Sequence, residues 1–244
     1  MCYTATQVTK ANKLQEVYVA KLSPSLSQEY TSQFYKASGF DHPKLLILLQ
    51  KENEKLIDLY QWGLMPTWNK PLVEMLKQSN RTLNARSEDI RTTSSFRGAI
   101  KNQRCIIPVN SFFEYKHIFN DKGKKIDTLP FLIHPKKQPF FNLAGLYSFY
   151  NDPATNLWHK TFTIVTEPAN TFMAGIHNSA KRMPLMLSDS LVDDWINPDS
   201  PASLIDDIMQ FACDDSTLEA YRVVRELKTV PNDESVLKPI EDGE

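Results

Sequence analysis

The sequence predicts a single α+β domain with a mostly antiparallel, barrel-like β-sheet core and flanking helices. Three observations support this prediction. The 244 residues are enough for one large domain. Short β-rich runs, separated by Pro, Asn and Asp residues, dominate the chain. The few helical patterns do not alternate regularly with these runs, which argues against a doubly wound parallel sheet. The hydrophobic content of 41% and charged content of 23% are typical of folded globular proteins.

Seven segments have the composition of β-strands. They are residues 44–50, 55–63, 105–115, 130–135, 140–150, 159–166 and 182–187. Helical patterns cover residues 71–79, 93–102, 188–196 and 201–212, and a short helix of small residues is expected just before His177. We expect the domain to span residues 2–230, and residues 231–244 to form a loosely ordered tail.

Composition argues against several classes of protein. The longest apolar run, residues 45–49, is the length of a strand, so we expect no membrane span. The amino terminus lacks a basic segment followed by an apolar core, so no secretory signal is expected. Cys2, Cys105 and Cys213 are odd in number and lack metal-type spacing. We therefore expect no disulfide framework, no metal site and a reducing, cytoplasmic location.

Charge is unevenly distributed along a chain whose net charge is −1. Basic side chains outnumber acidic ones between residues 67 and 116, whereas residues 185–220 carry acidic side chains only. This asymmetry suits a one-sided footprint for a phosphate backbone. It is equally consistent with two solvated faces of different charge, and charge alone does not separate these interpretations.

The position of Cys2 directly behind the initiator methionine is unusual. If Met1 is removed, Cys2 carries a free α-amine and a thiol on adjacent carbons. If Met1 is retained, Cys2 is an ordinary thiol near a chain end.

Three further polar residues are candidates for chemistry. Glu114 lies among aromatic residues, and burial of a carboxyl favours its protonated form, which suits a general acid or base. The alternative is a strand whose Glu114 face is wet. His177 has the intrinsic pKa for proton transfer but is also placed as an ordinary helix-end histidine. Asn84 is suited either to orienting a substrate oxygen or to capping a turn.

Four residues are candidates for contacting DNA. Arg86 and Arg182 have guanidinium groups that match phosphate oxygens, although Glu88 offers Arg86 a nearby partner. Trp62 and Trp68 flank a turn and have rings that can stack on unpaired bases. For each tryptophan taken singly, a place in the core is the competing interpretation.

Taken in order, these segments resemble one family. They are Cys2, "WGLMPTW" (62–68), "LNARSE" (83–88), "CIIPVNSFFEY" (105–115), "AGLYSFY" (144–150), "FTIVTEPAN" (162–170) and "IHNSAKRMPLML" (176–187). Together they are similar to the SOS response-associated peptidase (SRAP) domain family, whose members are abasic-site processing proteins. The resemblance extends from Cys2 to about Trp195.

The resemblance implies that Met1 is removed and that Cys2 captures the ring-opened aldehyde of an abasic site in single-stranded DNA. Amine and thiol would together form a thiazolidine crosslink. Asn84 would hold the cysteine or the opened sugar, Glu114 would carry protons, and His177 would assist these transfers and the reversal. The residues implied in DNA contact are Arg86, Arg182, Trp62 and Trp68. No cofactor is implied, and we expect a monomer whose partner is abasic single-stranded DNA.

The sequence departs from the family pattern in two places. Tyr3 and Thr4 stand where most members have Gly and Arg, so one arginine expected at DNA is absent. Three extra residues separate His177 from Arg182, which changes the expected position of that arginine.

Two other functions remain open from the sequence. One is a peptidase or amidase of the N-terminal-nucleophile type, in which the free amine of Cys2 activates its own thiol. In this version, the peptidase activity would extend only to the release of Met1 or of a short propeptide. The other is a non-catalytic module that binds single strands through the basic middle and the tryptophans.

Overall fold

The structure, a computed structural model, describes residues 2–27, 30, 32–210, 213–227 and 229–240. Fourteen strands and six α-helices lie within these residues. The strands are β1 Thr4–Gln7, β2 Lys21–Leu22, β3 Phe34–Ser38, β4 Lys44–Lys51, β5 Glu54–Trp62, β6 Asn84–Arg86, β7 Arg104–Val109, β8 Ser111–Phe119, β9 Lys125–Pro135, β10 Phe141–Asn151, β11 Trp158–Pro168, β12 Arg182–Pro184, β13 Met186–Leu187 and β14 Leu218–Arg222. The helices are α1 Ala11–Tyr18, α2 Leu72–Ser79, α3 Ala99–Asn102, α4 Thr171–Ile176, α5 Asp189–Ile196 and α6 Ala202–Met209.

Five strands form a closed barrel. Antiparallel pairing runs from β5 through β4, β7 and β10 to β11. The ring closes where β11 pairs with β5 in parallel, with Phe162 opposite Trp62. This confirms the predicted α+β class with a mostly antiparallel, barrel-like core, and the closure leaves these strands without a free edge.

A second, fully antiparallel sheet carries the amino terminus. Its order is β14-β9-β8-β1-β3. Strand β1 lies between β8 and β3, with Thr4 opposite Phe113 on one side and Ser38 on the other. Pairing on both sides therefore fixes the first residues of the chain beside the middle of β8.

Close packing inside the barrel explains one glycine. A Cβ atom on Gly145, in β10, would lie 2.3 Å from the Ile107 side chain and 2.7 Å from the Thr163 carbonyl oxygen. No side chain fits there without displacing backbone, so the "AGLYSFY" segment requires glycine at this position.

Several predicted elements differ in extent from the observed ones. The apolar run 105–115 is broken at Asn110, whose side chain accepts from the Val8 backbone N–H and donates to Thr9 Oγ1. The pattern over residues 93–102 predicts a helix, but only Ala99–Asn102 is helical and turns precede it. The prediction for 182–187 was one strand, whereas β12 and β13 are two short ones.

Described residues of the expected tail make contacts with the domain. The Asn232 side chain accepts hydrogen bonds from the backbone N–H groups of Tyr35 and Lys36, and Val236 is buried. Residues 241–244 lie outside the described residues. The boundary at residue 230 stays a prediction.

The structure also bears on membrane association. Across the described ranges, every helix is too short or too polar to cross a bilayer.

Candidate active site at the amino terminus

Cys2 is completely buried and lies two residues before β1. Because Thr4 pairs with Phe113 in an antiparallel register, residues 2 and 3 approach the β8 segment that contains Glu114. Burial, reinforced by the nearby carboxyl of Glu114, raises the pKa of the Cys2 thiol far above its usual value. With Met1 in place, Cys2 therefore carries a neutral thiol and not a thiolate.

Asn84 ties the amino-terminal segment to the barrel. Strand β6 pairs in parallel with β11, which sets Asn84 opposite Ile164. From this position Asn84 Nδ2 donates a 2.9 Å hydrogen bond to the carbonyl oxygen of Cys2. The other amide atom, Oδ1, is buried and accepts no hydrogen bond from the described residues. Asn84 therefore fixes the Cys2 backbone, and its Oδ1 remains a buried acceptor.

Glu114 is buried in the middle of β8, only 3% exposed. Desolvation raises the pKa of its carboxyl from 4.5 to about 7. A group with this pKa exists in both protonation states at neutral pH, so it can donate and accept a proton without further tuning. The burial that the aromatic surroundings of Glu114 suggested is therefore confirmed.

His177 lies beside Glu114 at the end of α4. Asn170 caps that helix, its side chain accepting from the Met173 N–H. His177 Nδ1 is 2.8 Å from the carbonyl oxygen of Arg182, and since a carbonyl can only accept, Nδ1 carries the proton. The same nitrogen is 3.8 Å from Glu114 Oε1. Desolvation lowers the pKa of His177 and raises that of Glu114, so both shifts disfavour an ion pair between the two side chains.

The expanded segment between His177 and Arg182 is held in place by two structural features. Asn178, in the expanded segment after the helix, bonds through both ends of its amide to the backbone N–H and carbonyl of His117. This clamp holds the segment against β8. Lys181 adopts a left-handed φ of 49°, which turns the chain into β12.

Two cavities open beside Tyr3, the residue after Cys2. The Asn84 cavity, about 230 Å³, is lined by Tyr3, Asn80, Arg81, Leu83, Asn84, Arg86, Asp89, Thr93 and Phe96. The Glu114 cavity, about 220 Å³, is lined by Tyr3, Thr4, Phe113, Glu114, Tyr115, His117, Lys125, Thr128 and His177. Tyr3 lines both cavities, so the residue after Cys2 faces the two groups of candidate site residues at once.

Two of the predicted DNA contacts remain available at the surface. Arg86 is exposed on the wall of the Asn84 cavity, near Arg81. Trp68 is partly buried against Met65 and Met75, and Lys70 Nζ lies 5.7 Å from its ring centroid. Trp68 and Arg81 also line a third cavity of about 240 Å³.

The structure does not place the other two predicted contacts at a DNA-accessible surface. Trp62 is fully buried: it stacks on Phe162 with ring centroids 6.0 Å apart, and its indole N–H donates to the Leu83 carbonyl. It is a core residue, as its place at the barrel closure requires. Arg182 is 7% exposed and makes a bidentate ion pair with Glu88, at 2.5 and 2.9 Å. That pairing lowers the pKa of Glu88 to about 2.

Sequence reasoning missed several lining residues. Tyr3, noticed only as a departure from the family pattern, lines both cavities, and His117, Phe96 and Lys125 line one each. Strand alternation places Tyr115 and His117 on the same face of β8, so a strand prediction could have joined them, but the position of Phe96 depends on a turn region predicted as helix. Among the described residues, no group of three or more His, Cys, Asp or Glu side chains is arranged to hold a metal ion.

Fold and site define a class: a one-domain α+β protein in which a buried cysteine near the amino terminus lies beside a buried carboxyl and is held by an asparagine. The sequence model of one family, described as SOS response associated peptidase (SRAP), matches residues 1–230. The chain belongs to the SRAP family, as its sequence motifs predicted.

Relatives in this family are similar over most of the chain. Abasic site processing protein YoqW of Bacillus subtilis (strain 168) is 36% identical over 181 residues, which are 73% of this chain and 74% of that protein. Abasic site processing protein YMR114C of Saccharomyces cerevisiae is 26% identical over 226 residues, 90% of this chain and 56% of that one.

Among solved structures, a protein from Bacteroides thetaiotaomicron is 27% identical, with a TM-score of 0.88 covering 98% of this chain and 100% of that chain. A protein from Bordetella bronchiseptica, 23% identical with a TM-score of 0.69 over 91% of this chain and 100% of that one, shares the fold.

Proposed function

We propose that this chain is an abasic-site processing enzyme that acts on single-stranded DNA through Cys2. Met1 is removed, and the mature amino-terminal cysteine captures the aldehyde of a ring-opened abasic site. The observation that carries this proposal is the burial of Cys2 beside Glu114, a carboxyl whose pKa lies near neutrality. The names of the relatives support the choice of substrate.

The reaction requires an amine and a thiol on adjacent carbons. The neutral α-amine attacks the C1′ aldehyde carbon, and the resulting carbinolamine loses its oxygen as water to form an imine. The thiol sulfur then adds to the imine carbon while the imine nitrogen gains a proton. A five-membered thiazolidine and one water are the products. The ring closes readily because the thiol is held on the same residue as the imine.

Glu114 is suited to each proton transfer. In its acid form it protonates the departing hydroxyl of the carbinolamine; in its basic form it accepts the thiol proton during ring closure. This help matters because burial disfavours the Cys2 thiolate, so the thiol cannot rely on prior ionisation. His177, whose protonated Nδ1 lies 3.8 Å from Glu114 Oε1, would assist these transfers and the reversal by stabilising the ionised carboxylate.

Asn84 and the surface groups supply positioning. Asn84 holds the Cys2 carbonyl, and its buried Oδ1 is oriented to accept from a hydroxyl of the opened sugar. Arg86 offers phosphate oxygens an exposed guanidinium, and Trp68 offers a partly exposed ring for stacking.

We further propose a cytoplasmic, monomeric protein that works without metal or cofactor. Strand-incising lyase activity follows from the same imine, which promotes elimination of the 3′ phosphate.

A thiolate peptidase is less well supported by the same site. Nucleophilic cysteines generally have lowered pKa values in electropositive surroundings. The Cys2 thiol instead lies beside an acidic side chain and has a raised pKa. Peptide-bond cleavage would therefore be confined to maturation at Met1.

The test is crosslinking on a denaturing gel. The purified mature protein is incubated with a single-stranded oligonucleotide carrying one abasic site, and the heat-stable covalent band is quantified over time. We expect a band with the wild type and none with Cys2→Ala. A band that persists in Cys2→Ala identifies the wrong nucleophile, and turnover of unrelated peptides by the wild type would favour the peptidase.

A further inference from the structure

An exposed aromatic pair stands next to the candidate nucleophile. The rings of Tyr3 and Phe40 lie 5.1 Å apart between centroids at an interplanar angle of 32°. Phe40 is 56% exposed, a large apolar surface for a side chain to present to water. Tyr3 follows Cys2 directly and lines both cavities. The pair therefore extends from the rim of the reactive centre outward to solvent.

The backbone holds this pair rigidly. Phe40 lies in a 3₁₀ turn, Gly39–Asp41, directly after β3. The Gly39 N–H donates a 2.8 Å hydrogen bond to the Tyr3 carbonyl, and Thr4 pairs with Ser38. Gly39 itself is pressed on the Trp62 ring, since a Cβ there would lie 3.1 Å from an indole carbon. The turn cannot move away from β1 without breaking these contacts, so the aromatic surface is formed in advance of binding.

An abasic site leaves the neighbouring bases with an exposed face. In intact single strands each base stacks on the next, and loss of one base removes that partner. Aromatic side chains stack on unpaired bases whatever their sequence. Arg86 lines the Asn84 cavity together with Tyr3, and its charge is close enough to affect the Tyr3 hydroxyl. Its guanidinium can therefore bind the phosphate next to the stacked base.

We propose that Tyr3 and Phe40 form a platform on which a base next to the abasic site stacks, so that the lesion aldehyde is aligned with Cys2. This inference rests on the proposed function, and it assigns to Tyr3 and Phe40 the positioning of substrate.

The experiment compares two oligonucleotides. The first carries an abasic site between two adenines; in the second, both adenines are replaced by tetrahydrofuran spacers without a base. Crosslinking rates are measured below saturation for the wild type, Phe40→Ala and Trp158→Ala. The last is a matched control, because Trp158 is also an exposed aromatic but lies at the opposite end of β11 from the site.

We expect Phe40→Ala to slow crosslinking of the first oligonucleotide about tenfold, the effect of losing one base–ring stack. On the second oligonucleotide, Phe40→Ala and wild type should differ less than twofold, and Trp158→Ala should match wild type on both. Equal slowing on both oligonucleotides, or none on the first, overturns the platform.

A second measurement separates this proposal from the proposed function. 2-Aminopurine replaces one adenine beside a non-reactive tetrahydrofuran lesion, and its fluorescence is followed during binding. Quenching by the wild type that is lost in Phe40→Ala supports the platform, even if no crosslink ever forms. Crosslinking with unchanged fluorescence in both proteins would instead retain the enzyme and refute the platform. Melting temperatures of the variants check that each one is folded.

Discussion

The buried carboxyl of Glu114 should reduce the stability of the folded protein as pH rises. Its pKa is raised from 4.5 to about 7 by desolvation, so the native state holds a proton that the unfolded chain has already released. Stability falls wherever the native state binds more protons than the unfolded one. The loss therefore begins near pH 4.5, grows up to the native pKa near 7, and is complete above it.

The magnitude follows from the shift. Each pKa unit corresponds to about 1.4 kcal/mol, so a rise of about 2.5 units is worth about 3 kcal/mol in total. Between pH 5 and pH 8 about 2.5 kcal/mol of this is lost. Replacement of Glu114 by glutamine, which has nearly the same shape and no charge, removes the titration. The stability of Glu114→Gln relative to wild type should therefore rise by about 2.5 kcal/mol between these pH values.

Urea unfolding at pH 5 and pH 8 measures this difference. The comparison between pH values cancels any pH-independent packing cost of the amide, and Glu52→Gln, at a side chain 85% exposed, is the control for a general charge effect. An advantage of Glu114→Gln that is the same at both pH values would refute the reasoning. In crosslinking, the same variant should be slowed roughly a hundredfold at pH 7, the scale of general acid–base catalysis.

Three further predictions address positioning and contact. Asn84→Ala removes the hydrogen bond to the Cys2 carbonyl and should slow crosslinking roughly tenfold while leaving DNA affinity, measured by fluorescence anisotropy, within twofold. Arg86→Ala should reduce the slope of log affinity against log salt by about 0.7, the value for one phosphate contact on a single strand; an unchanged slope contradicts the contact. Arg182→Met breaks the ion pair with the half-exposed Glu88 and should cost about 2 kcal/mol in urea unfolding, the scale of a hydrogen bond to a charged group, without altering that slope.

The barrel could be predicted from local pattern because its strands have strong signals. The continuous apolar run of residues 44–50 and the β-branched content of residues 159–166 predicted β4 and β11, and both appear nearly at their expected limits. Strand β1 has no such signal, because four residues are too few for a periodicity to emerge. Its place between β8 and β3 is set by long-range pairing, which no local window contains.

The site residues likewise divide into those that local sequence predicts and those that depend on long-range packing. Glu114 was identified from its aromatic neighbours, since burial of a carboxyl is readable from composition. The burial of Trp62 and Arg182 could not be predicted in this way, because each residue packs against a distant partner. Trp62 contacts Phe162 and Leu83, and Arg182 pairs with Glu88. Single residues with two plausible roles are resolved only by what the fold packs against them.

Intact mass spectrometry of the protein after incubation with an abasic oligonucleotide tests the central claim most directly. The account predicts one species whose mass is that of the chain without Met1, plus the oligonucleotide, less one water, stable to heat and absent in Cys2→Ala. An active protein that retains Met1, or an adduct of the same mass in Cys2→Ala that survives heating, would contradict the assignment of Cys2 as the reactive aminothiol.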